Sequence, residues 1–196
     1  MGAPPLLNPH LDAPAQVLWV LTSTYIANAT ATLPRGRGPP MDFGRNWRDG
    51  RRILGPSKTW SGFWFGTFFA LPFALLQAWL YLIAPPELRV VPGFGPTLVA
   101  ALPVAFLLTA GAMTGDALGS FVKRRLGRPS GARTLLLDQM PFVLVPVLLG
   151  LVLFPATFVP AFLSPEGILW LVLFTLGFHA AFNWIGYLIG TKKVPW

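Results

Sequence analysis

Residues 97–125, TLVAALPVAFLLTAGAMTGDALGSFVKRR, decide the class of this chain. A membrane-crossing helix needs roughly 20 mainly apolar residues, and this stretch supplies them before its first cation. Three features break the apolar run. Gly111, Gly115 and Gly119 recur every fourth residue and leave one helix face nearly bare, the spacing that lets helices approach closely. Asp116 sits among them, and a carboxylate at that depth is costly enough to be a functional-site hypothesis by default. The run then ends on Lys123, Arg124 and Arg125. At 1.5 Å of rise per residue Asp116 lies about 10 Å below Lys123, deeper than an interfacial anchor requires.

Asp116, Ser120 and Lys123 fall at i, i+4 and i+7 and share a face. That set suits a cation at Asp116 with phosphate held by Ser120 and Lys123. The plain alternative is a packing stripe with an ion pair at the membrane edge. A second acid, Asp138, opens the next apolar run, and between the two acids lie Lys123, Arg124, Arg125, Arg128 and Arg133 with no acid among them. Paired carboxylates suit a divalent cation, and clustered Lys and Arg suit phosphate oxygens. Taken alone, Asp138 is equally a dipole-stabilising acid at a helix start.

Composition agrees with a membrane protein. Of 196 residues 54% are apolar and 11% charged, with mean hydropathy +0.58, whereas soluble domains carry about 25% charged residues. There is no cysteine, which excludes disulfides and thiolate metal sites. The two histidines, His10 and His179, are too few and too far apart for a histidine metal site. No Lys or Arg precedes the first apolar run, so it is expected to stay in the mature protein rather than act as a signal peptide.

Five stretches have the length and apolarity of spans, at about 14–33, 61–84, 97–122, 135–154 and 167–190, in one membrane domain covering 1–196. The fourth contains Pro141 and Pro146 and is expected to kink. Charge orients the set. Seven cations lie between spans one and two, five between three and four, two after span five, and Arg89 alone on the opposite side. The positive-inside rule then makes the loops 34–60 and 123–134 cytoplasmic, with the N-terminus outside and the C-terminus cytoplasmic. That placement accounts for the net charge of +8 without nucleic acid as a partner. The expected fold class is an all-α integral membrane protein of five transmembrane helices in the cell membrane. The outer connections, about 85–96 and 155–166, read as tight turns.

The loop at 34–60 mixes Asp42, Arg45, Asp49, Arg51, Arg52 and Lys58, too varied in sign for a simple basic tail. It reads as an ordered part of a site, with Asp42, Asp49, Arg51 and Arg52 as substrate-binding candidates. The segment Gly50 to Gly62 resembles a phosphate-binding loop but fails its pattern, because Pro56 and Ser57 separate Gly55 from Lys58. What survives is Ser57, Lys58 and Thr59 at a helix entry whose amides favour an anion. Thr24, Asn28 and Thr32, and likewise Thr175, His179 and Asn183, recur every fourth residue. Such stripes ordinarily hydrogen-bond across helices; lining a polar cavity is the alternative, with Asn28 its substrate-facing member.

Two blocks carry a family resemblance. Tyr25-Ile-Ala-Asn28, Asp42-Phe-Gly44, Asp49 through Gly55 and Lys58-Thr59-Trp60 form the first; Gly115-Asp116-Ala-Leu-Gly119-Ser120 through Arg125 with Leu137-Asp138-Gln139 forms the second. Together they resemble the archaeal CDP-archaeol synthases, and the second block is distantly similar to bacterial CDP-diacylglycerol synthases, though without a His-Gly-Gly before Asp138 or a second acid soon after it. The resemblance implies a CTP-dependent cytidylyltransferase acting on an isoprenoid ether-lipid phosphate, with membrane lipids around it. It implies Mg²⁺ at Asp116 and Asp138, with one shared ion or two as alternatives. Lys58, Asp116, Lys123 and Asp138 would be catalytic, and Ser57, Thr59, Ser120 and Arg124 would contact phosphates. A phosphate monoester is largely dianionic at neutral pH, so such a transfer needs no protein general base. A lipid kinase and an anion or phosphate-ester transporter are the alternative classes.

Overall fold

The computed structural model describes residues 9–130 and 134–188; Arg133, Lys192 and Lys193 lie outside the described residues. The described chain is helical: α1 (Pro9–Thr30), α2 (Trp60–Ile83), α3 (Leu98–Arg125), α4 (Leu135–Gln139), α5 (Pro141–Leu153), α6 (Pro155–Phe162) and α7 (Pro165–Leu188). Among the described residues no strand forms; two isolated bridges, Pro40 to Thr59 and Asn46 to Arg52, fold the loop between α1 and α2.

Side-chain size, rather than polarity, decides which face of α2 turns inward. Its buried positions are mostly small, Gly62, Gly66, Ala70, Ala74 and Ala78. Its exposed positions are large and apolar, among them Trp64, Phe65, Phe68, Phe69 and Phe73. A helix surrounded by hydrocarbon gains nothing by hiding aromatics from solvent, so close backbone approach governs the interior instead. α2, α3 and the Pro165–Ile185 part of α7 are long and apolar enough to cross a membrane. α1 is as long but carries buried polar groups, including Ser23 and Thr24. α1 packs against α2, α3, α6 and α7, while α3 packs against α2 and α5. Val17, Leu21, Leu108, Val143 and Phe158 are fully or nearly fully enclosed where these helices meet.

The expected span at 135–154 is divided. Met140 closes α4 by donating its N–H to the Leu136 carbonyl, and Pro141 starts α5 at the position where a missing N–H costs least. At 13 residues α5 is about 20 Å long, short of the roughly 30 Å hydrocarbon core.

The connections at 85–96 and 155–166 differ from the expected tight turns. Residues 155–162 form α6, which buries Phe158 and Phe162, and Thr157 donates to the Gly93 carbonyl at 2.8 Å. In the other, Pro86–Leu88 is a 3₁₀ turn, and Arg89 donates to the carbonyls of Ala84 and Leu82 at 3.0 and 3.1 Å. These segments close the bundle because their aromatic residues have a core to enter; Phe94 is 2% exposed.

The glycine stripe of α3 performs the packing its spacing predicts. A Cβ at Gly111 would lie 2.9 Å from Pro146, and one at Gly119 would lie 2.8 Å from the Leu137 carbonyl. At Gly115 it would strike the Pro141 carbonyl. The stripe brings α4 and α5 against α3 and so sets Asp138 beside the helix that carries Asp116.

Candidate active site

A cavity of about 700 Å³ opens between the ends of α1, α2, α3, α5 and α7. Its polar wall includes Asn28, Ser57, Lys58, Thr59, Asp116, Asp138, His179 and Asn183. Its apolar wall includes Phe63, Met113, Phe142, Phe178, Phe182 and Ile185. The two acids, separated by 22 positions in sequence, therefore face one space, and each has a lysine. Lys58 Nζ contacts Asp116 Oδ2, and Lys123 Nζ donates to Asp138 Oδ1 at 2.5 Å. Asp138 Oδ2 also accepts from the Thr134 N–H at 2.8 Å, across the first turn of α4.

The remaining candidates divide by location. Asn28 and Ser57 line the cavity, and neither side chain has a hydrogen-bond partner among the described residues. Thr59 lines it while capping α2, its Oγ1 accepting from the Gly62 N–H at 3.2 Å. Ser120, Lys123, Arg124, Asp42, Asp49, Arg51 and Arg52 are not part of the wall. Helical spacing suggests a shared face for Lys123 and Asp116, but Lys123 pairs with Asp138, and Asp116 takes Lys58 from another element.

The four loop candidates hold the loop together. The Asp42 carboxylate accepts from the Leu54 and Gly55 N–H groups at 3.0 and 2.9 Å, and from Gly44 at 3.1 Å. Arg52 grips it through Nη2 at 2.6 Å and Nε at 3.1 Å. Burial by itself would raise the Asp42 pKa; the Arg52 bond and the Gly55, Leu54 and Gly44 amides outweigh it and hold the carboxyl well below the usual range. The same pairing raises Arg52 above its ordinary value.

Asp49 pairs with Arg125 at 2.6 Å, and Arg125 also donates to the Arg52 carbonyl at 2.6 Å. Arg51 donates to the Arg125 carbonyl at 2.8 Å, and Arg124 to the Leu54 carbonyl at 3.1 Å. The end of α3 is thus fastened to the loop that delivers Ser57, Lys58 and Thr59. Arg125 is a residue that sequence reasoning missed, since nothing in a run of three cations distinguishes the one that braces a loop.

The polar stripes do both things weighed for them. Thr24 donates to the Leu108 carbonyl at 3.2 Å, and Thr175 pairs with the Tyr25 hydroxyl at 3.0 Å. Nearer the cavity, His179 Nδ1 lies 3.0 Å from Gln139 Nε2 and 2.9 Å from Asn183 Nδ2, joining α7 to the residue after Asp138. Asn28, Thr32, His179 and Asn183 line the cavity. Gln139 was legible as part of a motif but carried no sign of its partner.

Fold and site define an all-helical membrane protein with an acid-and-lysine cavity at one end of its bundle, the equipment of an enzyme for anionic substrates. The profile of the CarS-like family, described as CDP-archaeol synthase, matches residues 11–196. A CDP-archaeol synthase of Pyrococcus horikoshii is 35% identical over 181 residues, covering 92% of this chain and 96% of its own. One of Methanosarcina mazei is 39% identical over 173 residues, covering 88% and 98%. A solved structure, described as an intramembrane enzyme for archaeal membrane lipids biosynthesis, matches with a TM-score of 0.64 at 28% identity, covering 85% of this chain and 91% of its own. The chain belongs to the CDP-archaeol synthase family.

Proposed function

We propose that this cavity is where the chain, as a membrane cytidylyltransferase, moves CMP from CTP to an archaeol-type lipid phosphate. The observation that carries the assignment is that two acids, Lys58 and an apolar wall share one space, with Lys123 holding the second acid from outside it. A nucleoside triphosphate needs the charged groups and a lipid needs the apolar wall. An oxygen of the lipid phosphate attacks the α-phosphorus of CTP, a P–O bond forms, the bond to the β-phosphate breaks, and pyrophosphate leaves. The attacking oxygen carries no proton in the dianion, so positioning and charge stabilisation suffice.

Mg²⁺ fits the donor set. Asp116 and Asp138 offer hard carboxylate oxygens, and no group of three or more His, Cys, Asp or Glu residues gathers among the described residues. Asp116 and Asp138 would hold the ion, and phosphate oxygens and water would supply its other ligands. When bound, Mg²⁺ would neutralise charge on the phosphates. Lys58, on the cavity wall and paired with Asp116, would take a phosphate oxygen. Lys123 acts one step back by holding Asp138, and Arg51, Arg52, Arg124 and Arg125 keep the loop in place. Fourteen of the fifteen cations lie on one side of the expected topology, which supports a cavity facing the cytoplasm and its CTP.

Purified protein in detergent, given CTP, Mg²⁺ and an archaeol-type lipid phosphate, is expected to release pyrophosphate and form CDP-lipid in equal amounts. Release of a nucleoside diphosphate instead would make it a kinase. Lipid-phosphate or anion flux across vesicles without covalent product would make it a transporter.

A further inference from the structure

Aromatic columns run along two helices of this fold and end in different places. On α2, Phe65, Phe69 and Phe73 stack at 5.5 and 5.9 Å, all three exposed, and none lines the cavity. On α7, Trp170, Phe174, Phe178 and Phe182 recur every fourth residue with successive ring centroids 5.1, 5.9 and 6.1 Å apart. This second column begins inside the cavity, where Phe178 and Phe182 form part of the apolar wall. It continues away from the cavity with Phe174 and Trp170 half-buried against the core. Phe182 and Trp170 are twelve positions apart, about 18 Å of helix.

We propose that the α7 column seats a hydrocarbon chain of the lipid phosphate, and so selects for chain length. This rests on the reading of the cavity given above. With the phosphate drawn to Lys58, the chain must leave by the apolar wall, and the column is that wall's continuation along the bundle. Aromatic rings spaced about one turn apart offer an extended chain a succession of carbon contacts along the helix. A chain in a bilayer is already surrounded by hydrocarbon, so entering the column gains packing rather than escape from water. The column therefore shows itself in discrimination between chains, because a short chain ends before Phe174 and a long one passes it.

The test uses the full chain and synthetic lipid phosphates with one headgroup and either full-length isoprenoid chains or chains cut to half. The readout is the ratio of kcat/KM for the long substrate to that for the short one, in which the fraction of active protein cancels. The wild type is expected to favour the long chain. Phe174→Ala and Trp170→Ala are each expected to shrink that ratio roughly five-fold through the long substrate alone. Phe65→Ala, on the outward column of α2, is expected to leave it unchanged. Should Phe174→Ala not fold, Phe174→Leu keeps bulk, loses the ring and serves the same comparison. An unchanged ratio in the α7 variants, an equal change in Phe65→Ala, or no chain preference in the wild type overturns the proposal. A wild type that makes no CDP-lipid from either substrate overturns the reading of the cavity itself, a distinct result.

Discussion

Lys123, in the last turn of α3, donates to Asp138 in the five-residue α4 at 2.5 Å, across the connection between the two helices. A helix of that length does not hold itself in water or at an interface. The ion pair and the stripe of glycines under α4 fix it from outside. Lys123→Met is therefore expected to lower both stability, by about 1–3 kcal/mol, and kcat/KM for CTP, by about 100-fold. Lys58→Met, whose lysine faces the cavity, is expected to lower activity comparably with little change in thermal unfolding. Parallel kinetics and melting curves separate the two roles, and full activity in Lys123→Met would mean that the ion pair is not what positions Asp138.

The acids themselves are expected to matter for chemistry more than for folding. Asp116→Asn and Asp138→Asn keep side-chain size and should each reduce turnover by at least about 100-fold; Asp116→Asn should leave the melting temperature close to wild type, whereas Asp138→Asn also loses the Lys123 ion pair and should lower it as Lys123→Met does. Removing divalent cations with a chelator is expected to abolish CDP-lipid formation in the wild type and added Mg²⁺ to restore it. A chelator-resistant rate would exclude the metal assignment.

Much of this arrangement was legible because the membrane makes certain residues expensive. An acid among glycines at position 116 and a second one at 138 stand out against hydrocarbon, and both reach the cavity. The Gly111, Gly115 and Gly119 spacing announced close packing and indeed lies against Pro141, Pro146 and the Leu137 carbonyl. What sequence could not convey was which cation each acid meets. Helical spacing made Lys123 a natural companion of Asp116, yet Asp116 takes Lys58 from a loop 58 positions away. Loop charges are equally ambiguous, since Asp42 and Arg52 would look the same binding substrate or binding each other. The α6 helix was hidden by its two prolines, at 155 and 160, which read as turn formers until the buried Phe158 supplies a reason for them to be helical.

Gly115→Ala tests the packing of the stripe. The added methyl would meet the Pro141 carbonyl, a backbone group with no rotamer to escape into. Overpacking of this kind costs about 1–3 kcal/mol, and separating α3 from α5 would also move Asp116 relative to Asp138. The expected result is a lower melting temperature together with a loss of turnover larger than the loss of CTP affinity. Gly177→Ala, where nothing lies within 4 Å of the added Cβ, is the matched control and should be nearly silent.

Asp42 predicts how the loop responds to acid. Its folded pKa is depressed by Arg52 and three backbone amides, so the unfolded loop binds a proton more readily than the folded one. The stabilisation from this carboxylate is complete above the ordinary value of 3.8 and is lost as pH falls below it toward the depressed folded value. Asp42→Asn removes the charge and one pair of acceptor sites while leaving the loop's length and glycines intact. It is expected to cost about 1–3 kcal/mol at neutral pH and to flatten the acid limb of the stability profile. Because the loop carries Lys58, the same variant should raise KM for CTP while leaving the Lys123–Asp138 pair undisturbed. Chemical unfolding of wild type and Asp42→Asn between neutral pH and pH 3 decides the matter. Parallel acid limbs would mean that Asp42 is not the group whose protonation loosens the loop.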